Sequence, residues 1–169
     1  MIRALYFSLL ALLLSWPLTA RTQGLAYPTG EVLLSVSGAI EQKNAPEAAL
    51  FDLEMLQTFE AEEISTTTIW TEGTQKFVGV PLTSLLRAVG AHGMTISAQA
   101  INDYAVEIKL DNPLVDSALV AYLRNGATMS IREKGPLWIV FPYDSDPAFQ
   151  SEIIYSQSIW QLDRLHVEN

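Results

Sequence analysis

The sequence predicts a single α+β domain. Many short stretches are rich in β-branched or alternating apolar residues, only two short segments carry helical spacing, and the turns between them show no regular strand–helix alternation.

Taken in order, Glu31 to Ile40 sets Val32, Leu34 and Val36 on one face and reads as a strand ending in a turn at Gly38. After the polar connection Asn44-Ala45-Pro46, Leu50, Leu53 and Leu56 recur at helical spacing. Phe51, Met55 and Phe59 widen that stripe into a short amphipathic helix, and the acidic run Glu60 to Glu63 is expected as the loop after it. Ile64 to Thr71 is β-branched and is expected as a strand closed by Gly73. Phe77 to Pro81 is expected to turn the chain into a second helix carrying Leu82, Leu85, Leu86 and Val89, stopped at Gly90. Met94 to Ile101 and Tyr104 to Leu110 are strands around an Asn102-Asp103 turn. Ala118 to Leu123 is an apolar stretch ending at the turn pair Asn125-Gly126. Met129 to Arg132 and Leu137 to Phe141 are expected as strands flanking Glu133 to Pro136, and Ser156 to Val167 as the last strand.

The N-terminus reads as an export signal. Arg3 provides a short positive region, Ala4 to Leu14 an apolar core interrupted only by Ser8, and Leu18-Thr19-Ala20 a small-residue exit after Trp16-Pro17. An apolar stretch this short falls below the span of about 20 residues that a bilayer needs. An uncleaved N-terminal anchor is the alternative, and the membrane would then be met only through that segment. The expected division is therefore residues 1–26 as signal peptide, with cleavage near 20–26, and 27–169 as one domain in the periplasm or outside the cell.

Arg3 and Arg21 aside, the chain carries 8 basic against 19 acidic residues. Such a surface repels phosphate backbones, which argues against nucleic acid as a partner. There is no cysteine, so disulfides, thiolate nucleophiles and sulfur-ligated metals are excluded together. No G-x-S-x-G elbow, H-E-x-x-H, phosphate-binding glycine loop or calcium loop is present. His92 and His166 lack partners at metal-site spacing and read as surface histidines.

Three clusters combine aromatic and polar residues: Thr68 to Gly73 around Trp70, Asn102-Asp103-Tyr104, and Met129 to Trp138 with Arg132 and Lys134. Together they are able to line a cleft in which the cationic pair meets an anionic ligand group between indole and phenol walls. The plainer alternative, which composition favours, makes Trp70, Tyr104, Trp138 and Trp160 core aromatics, with Arg132 and Lys134 merely offsetting nearby acids.

Those stretches also carry a resemblance. Phe77-Val78-Gly79-Val80-Pro81-Leu82-Thr83-Ser84-Leu85-Leu86 resembles the F-x-G-V-P-L-x-x-L-L segment of the sulfite-oxidase-type molybdopterin-binding domain family. Asn102-Asp103-Tyr104 resembles its D-G-Y turn. Asn125-Gly126 with Gly135 to Pro142 resembles its N-G … G-x-P-L-R-L-V-V-P stretch. Ser158 to Leu162 is similar to its late tryptophan and closing strand. The resemblance implies a fold of layered mixed β-sheets with a few peripheral short helices, and molybdopterin as the family's cofactor. It also implies a cysteine ligand to molybdenum before the G-V-P-L segment, where this chain has Thr71; Trp138 stands where an arginine is expected. A hydroxyl does not replace a soft thiolate. The expected function is thus a non-catalytic binding or accessory module, with no cofactor or with molybdopterin held without a thiolate. The alternatives are an oxidoreductase holding its cofactor through the pterin alone, and an interaction domain with no small-molecule site. Expected ligand contacts are Trp70 and Tyr104 as walls, Asn102 and Asp103 as hydrogen-bonding groups, and Arg132 and Lys134 as the anion-pairing cations. Thr71 and Trp138 complete the set, and the partner is a small anionic ligand or a protein of the same compartment.

Overall fold

A computed structural model describes residues 24–169, so the expected signal segment up to Gln23 lies outside the described residues. Ten strands and three short helices follow in order: β1 (Leu34–Gly38), β2 (Ala48–Phe51), α1 (Leu53–Gln57), β3 (Glu62–Thr68), β4 (Thr71–Pro81) and α2 (Leu82–Ala88). They continue with β5 (Thr95–Ala100), β6 (Ala105–Lys109), β7 (Leu119–Arg124), β8 (Ala127–Thr128), β9 (Leu137–Val140), α3 (Glu152–Gln157) and β10 (Trp160–Glu168). The main sheet path runs β2-β1-β10-β9-β7-β4-β3, with β5 and β6 branching from β10 and β8 from β7. Among the described residues only the β1–β10 pairing is parallel. The mixed, mostly-sheet α+β class expected from the sequence is what forms.

Strands β7 and β9 are buried on both faces, which explains why their sequences read as continuous apolar runs rather than alternating ones. One face carries Val80, Val120, Tyr122, Leu137 and Ile139 into the large core beneath α1 and α2. The other carries Phe77, Leu119, Ala121, Trp138 and Val140 into a smaller core. That second core leads directly to the candidate site.

Strand β10 divides the sheet. Trp160 and Leu162 pair with β9, whereas Arg164 to Val167 lie between β1 and β5. The register shifts on both sides of Leu162, and Gln161 has a left-handed φ of 54°. Such irregularities bend a strand and re-aim its side chains. Here they let β10 leave one sheet partner for two others, and the divergence opens a gap between β9 and the β5–β6 hairpin.

Several expected elements form differently. Phe77 to Pro81 is not a turn but the second half of the 11-residue β4. Gly79 is required there because a Cβ would overlap the Val120 carbonyl oxygen of β7. Leu50 and Phe51 end β2, and the helix is shortened to α1 because the Asp52 carboxylate caps it, accepting from Met55 N at 2.9 Å. Glu62 and Glu63 are not loop residues; they open β3, an edge strand whose outer side tolerates charge. Ile69 and Trp70 form the β3–β4 turn, so Thr71 begins β4 rather than ending the preceding strand. Met129 to Arg132 is no strand: Ile131–Glu133 is a single 3-10 turn, fixed by a reciprocal cap between Ser130 and Glu133. Ser156 and Gln157 end α3, a helix absent from the sequence expectation, and only then does β10 begin. The Asn125-Gly126 pair does form a two-residue hairpin turn, with φ of 53° and 84°.

Candidate functional site

The gap beside β10 is a cleft of about 300 Å³. Four aromatic side chains wall it: Trp70 from the β3–β4 turn, Tyr104 from the β5–β6 turn, Tyr155 from α3 and Trp160 from β10. Asn102, Ser156 and Gln161 add polar groups, and no charged side chain belongs to the lining. This is the usual chemistry of a small-molecule or anchor-residue pocket, apolar walls with a few convergent polar groups.

Trp70 is positioned by its own turn. Its backbone N–H donates to the Thr68 hydroxyl at 3.1 Å, and that hydroxyl lies 2.8 Å from the Thr71 hydroxyl. The ring then sits edge-to-face against Trp138, Tyr143, Tyr155 and Trp160, with centroids 5.5–6.1 Å apart. That range is the favoured one for tilted aromatic pairs. Trp138 is fully buried behind this wall; its Nε1–H donates to the Ser158 carbonyl at 3.2 Å. Tyr143 donates its phenol proton to the Ser158 hydroxyl at 2.7 Å, and that hydroxyl donates in turn to the Ile154 carbonyl. Burial pushes the Tyr143 phenol up to about 12.

On the far side, Lys134 has a left-handed backbone at the end of the 131–133 turn. Its carbonyl accepts from Gln161 N at 3.0 Å, and the Gln161 side chain donates to the Ile131 carbonyl at 2.8 Å. These two bonds fasten the turn to the strand irregularity of β10. The Lys134 ammonium lies 4.2 Å from the Trp160 ring centroid and 5.8 Å from that of Trp138, a cation–π arrangement. Among the described residues no carboxylate pairs with it. Arg132 is exposed in the same turn.

The sequence-expected residues therefore gather in one region, in different roles. Trp70, Asn102 and Tyr104 line the cleft; Lys134 rests on the outer side of one wall, with Arg132 beside it. Trp138 has no exposed surface and supports the wall from behind. Asp103 has a left-handed φ of 66° and accepts from Arg164 at 3.0 Å and Gln99 at 3.2 Å, so its carboxylate is already paired at the rim. Thr71 is bonded to Thr68 and does not belong to the lining. Sequence reasoning missed Tyr155, Ser156, Ser158 and Gln161, and it treated Trp160 only as a late family tryptophan or core residue. The available signal was Ser151, a cap residue three positions before Ile154 at the start of α3.

Among the described residues no group of three or more His, Cys, Asp or Glu is placed to hold a metal. No helix among them is long and apolar enough to cross a membrane. His166 bonds Ser37 at 3.0 Å on an exposed sheet face, and His92 approaches the Gly90 carbonyl at 3.3 Å.

No family model matches this sequence, and no curated protein does. Among solved structures, the chain is similar to the sulfane dehydrogenase SoxCD from Paracoccus pantotrophus, with a TM-score of 0.62 at 19% identity. The match covers 86% of this chain and 40% of that one. The likeness shows a shared fold.

Proposed function

We propose that the chain is an exported, non-catalytic binding module built on the sulfite-oxidase-type molybdopterin-binding fold. The cleft holds a flat apolar group between Trp70, Tyr104, Tyr155 and Trp160, and an anionic substituent turns outward toward Lys134 and Arg132. What carries this reading is the pairing of an uncharged aromatic cleft with a threonine, already bonded to Thr68, where the resemblance would put a thiolate. The likeness to a dehydrogenase supports the scaffold.

The donor set does not fit a molybdenum-bearing cofactor. The sequence holds no cysteine, Thr71 offers a hard hydroxyl turned to its neighbour, and no metal-ligating cluster stands among the described residues.

The test is elemental analysis and native mass spectrometry of the exported protein, purified from a host that makes the molybdenum cofactor. The expected result is no stoichiometric molybdenum; one molybdenum per chain would overturn the non-catalytic reading. With pterin-6-carboxylate as a flat anionic probe, the wild-type protein is expected to be stabilised on thermal melting. The Arg132→Ala/Lys134→Ala double variant is expected to lose that shift while keeping its probe-free melting; an unchanged shift would count against the site.

A further inference from the structure

A separate hollow of about 400 Å³ lies where the lead-in to β1, the start of α1 and the 128–136 loop meet over β7, and it shares no residue with the aromatic cleft. Leu33, Leu53, Met129 and Pro136 give it hydrocarbon walls, and Glu31, Asp52 and Glu54 bring carboxylates. No Lys, Arg or His side chain belongs to this lining, so its charge is wholly negative. Among the described residues none of the three carboxylates forms an ion pair. Asp52 is engaged by the backbone N–H groups of Thr29, Gly30 and Met55. Glu31 and Glu54, both exposed, are left as the free anions. The charge of Arg124, two residues past Tyr122 on β7, acts on Glu133 of the 131–133 turn.

Surface acids are usually only solvated; the Tyr122 phenol sets this hollow apart. Tyr122 is 4% exposed and its ring belongs to the large core. Among the described residues nothing hydrogen-bonds its hydroxyl, and burial alone raises the phenol above its ordinary value. Gln157 Oε1 is the one fully enclosed side-chain polar atom without a partner among those residues. The Tyr122 oxygen is therefore not sealed in, and the open space its side chain borders is this hollow. The residues together select a ligand. An anion is repelled, and a metal ion finds no group of three ligating side chains and gains nothing from hydrocarbon walls. A neutral apolar molecule would bury Glu31 and Glu54 without partners. An ammonium on an aliphatic chain meets every demand: its N–H groups donate to the carboxylates and the phenol oxygen, and its methylenes cover the apolar walls. The chain has room to continue. An adjoining hollow of about 400 Å³ shares Glu31, Leu33, Met129 and Pro136, and adds the exposed side chains of Val32, Ile101 and Ile131. Its further carboxylate, Asp163, is already paired with Arg164.

We propose that this hollow is a second binding site, for an aliphatic primary amine in its ammonium form. The nitrogen sits at Glu31 and Glu54 within reach of the Tyr122 hydroxyl, and the chain runs over Met129 and Pro136 into the adjoining hollow. The test is isothermal titration calorimetry of the exported protein at neutral pH with three probes: hexylammonium, hexanoate (the chain with the opposite charge) and methylammonium (the charge without the chain). Hexylammonium is expected to bind at least about tenfold more tightly than either of the others. Glu31→Gln with Glu54→Gln is expected to weaken it about tenfold. Removing two exposed carboxylates outside both linings, Glu107→Gln with Asp116→Asn, is expected to change it by less than about twofold. Tyr122→Phe is expected to melt no lower than the wild type, because no bond is lost, and to weaken hexylammonium about threefold. Hexanoate or methylammonium matching hexylammonium would overturn the proposal, as would the absence of hexylammonium binding. Equal weakening by the two carboxylate pairs would overturn it too, by reducing the effect to the general pull of an acidic surface. Undiminished affinity in Tyr122→Phe would refute the placing of the nitrogen. Pterin-6-carboxylate stabilisation is expected to be unchanged in the Glu31→Gln/Glu54→Gln variant, so this site and the aromatic cleft stand or fall separately.

Discussion

Replacing Trp138 by alanine tests whether the aromatic wall is held from behind. The indole is fully buried, lies 5.3 Å from Phe77 and 5.9 Å from Trp70 centroid to centroid, and donates to the Ser158 carbonyl. Truncating a buried Trp costs about 3–5 kcal/mol through lost transfer energy and the cavity left behind. Leaving a buried carbonyl without its donor adds about 1 kcal/mol. The sum, about 4–6 kcal/mol, rivals the whole stability of a small domain, roughly 5–15 kcal/mol. For a chain of this length it corresponds to a melting-temperature loss of roughly 10–20 °C. Urea denaturation followed by far-UV circular dichroism measures it, with Trp160→Ala as the comparison. Trp160 is only half-buried, so its loss should cost about 1–2 kcal/mol in stability while weakening the cleft more directly. Trp138→Phe keeps a ring but not the N–H, and should lose about 1–2 kcal/mol if the Ser158 bond counts. A Trp138→Ala loss below about 2 kcal/mol, or equal losses at positions 138 and 160, would refute the support argument.

Three further outcomes follow from the same structure. The carboxylates of Asp52, Asp144 and Glu133 are held below their ordinary values of 3.8, 3.8 and 4.5, chiefly by hydrogen bonds from Gly30 and Met55, from Thr67, and from Ser130. Because their folded values lie below the unfolded ones, their stabilisation is present above pH 4.5 and is lost as pH falls through the folded values. Asp52→Asn with Asp144→Asn should flatten the acid limb of a stability-versus-pH curve. Tyr143 should ionise near pH 12, and Tyr122, also raised by burial, late; an alkaline ultraviolet titration should show these two lagging the exposed tyrosines. Gly79→Ala should abolish soluble expression, because the added carbon overlaps the Val120 carbonyl within the β4–β7 pairing. Gly73→Ala, where a Cβ meets nothing but φ is 66°, should remain soluble and lose a modest amount of stability.

The sheet-rich α+β class was legible because most strands announce themselves locally. The alternation in β5 and β6 and the Asn125-Gly126 turn needed no tertiary information. The errors fall where the long-range environment overrides local pattern. Leu50 and Phe51 continue a helical stripe, yet β1 pairs with them and Asp52, held by Thr29 N and Gly30 N, imposes the helix start after them. Val78-Gly79-Val80-Pro81 looks like a turn because glycine and proline punctuate it. Gly79 is there because β7 approaches too closely for a side chain, and Pro81 closes the strand at the start of α2.

The candidate site divides along the same line. Asn102 was recognisable as a turn residue with Tyr104 flanking it, and turns carry function more readily than strand interiors; Trp70 was read at a strand end, and the structure places it in the β3–β4 turn. Trp138 stood in the same apolar-and-cationic cluster, but it belongs to β9, a strand buried on both faces, and no local pattern separates a supporting indole from a contacting one. Tyr155 and Gln161 lay beyond reach for a different reason. Their place in the cleft depends on β10 bending at Gln161 to leave β9 for β1 and β5, and a left-handed glutamine leaves no mark in composition or period. The bend creates the gap, the turn at 131–134 is bonded to the bend, and Lys134 is thereby carried onto Trp160. Restoring regular strand geometry at that point should close the cleft without touching any of its four aromatic walls. Deleting Gln161, which also removes one polar group of the lining, is the direct probe: it should keep a cooperative fold, since Leu162 pairs on either side, yet lose stabilisation by pterin-6-carboxylate. Retained binding after that deletion would show that the cleft does not depend on the division of the sheet.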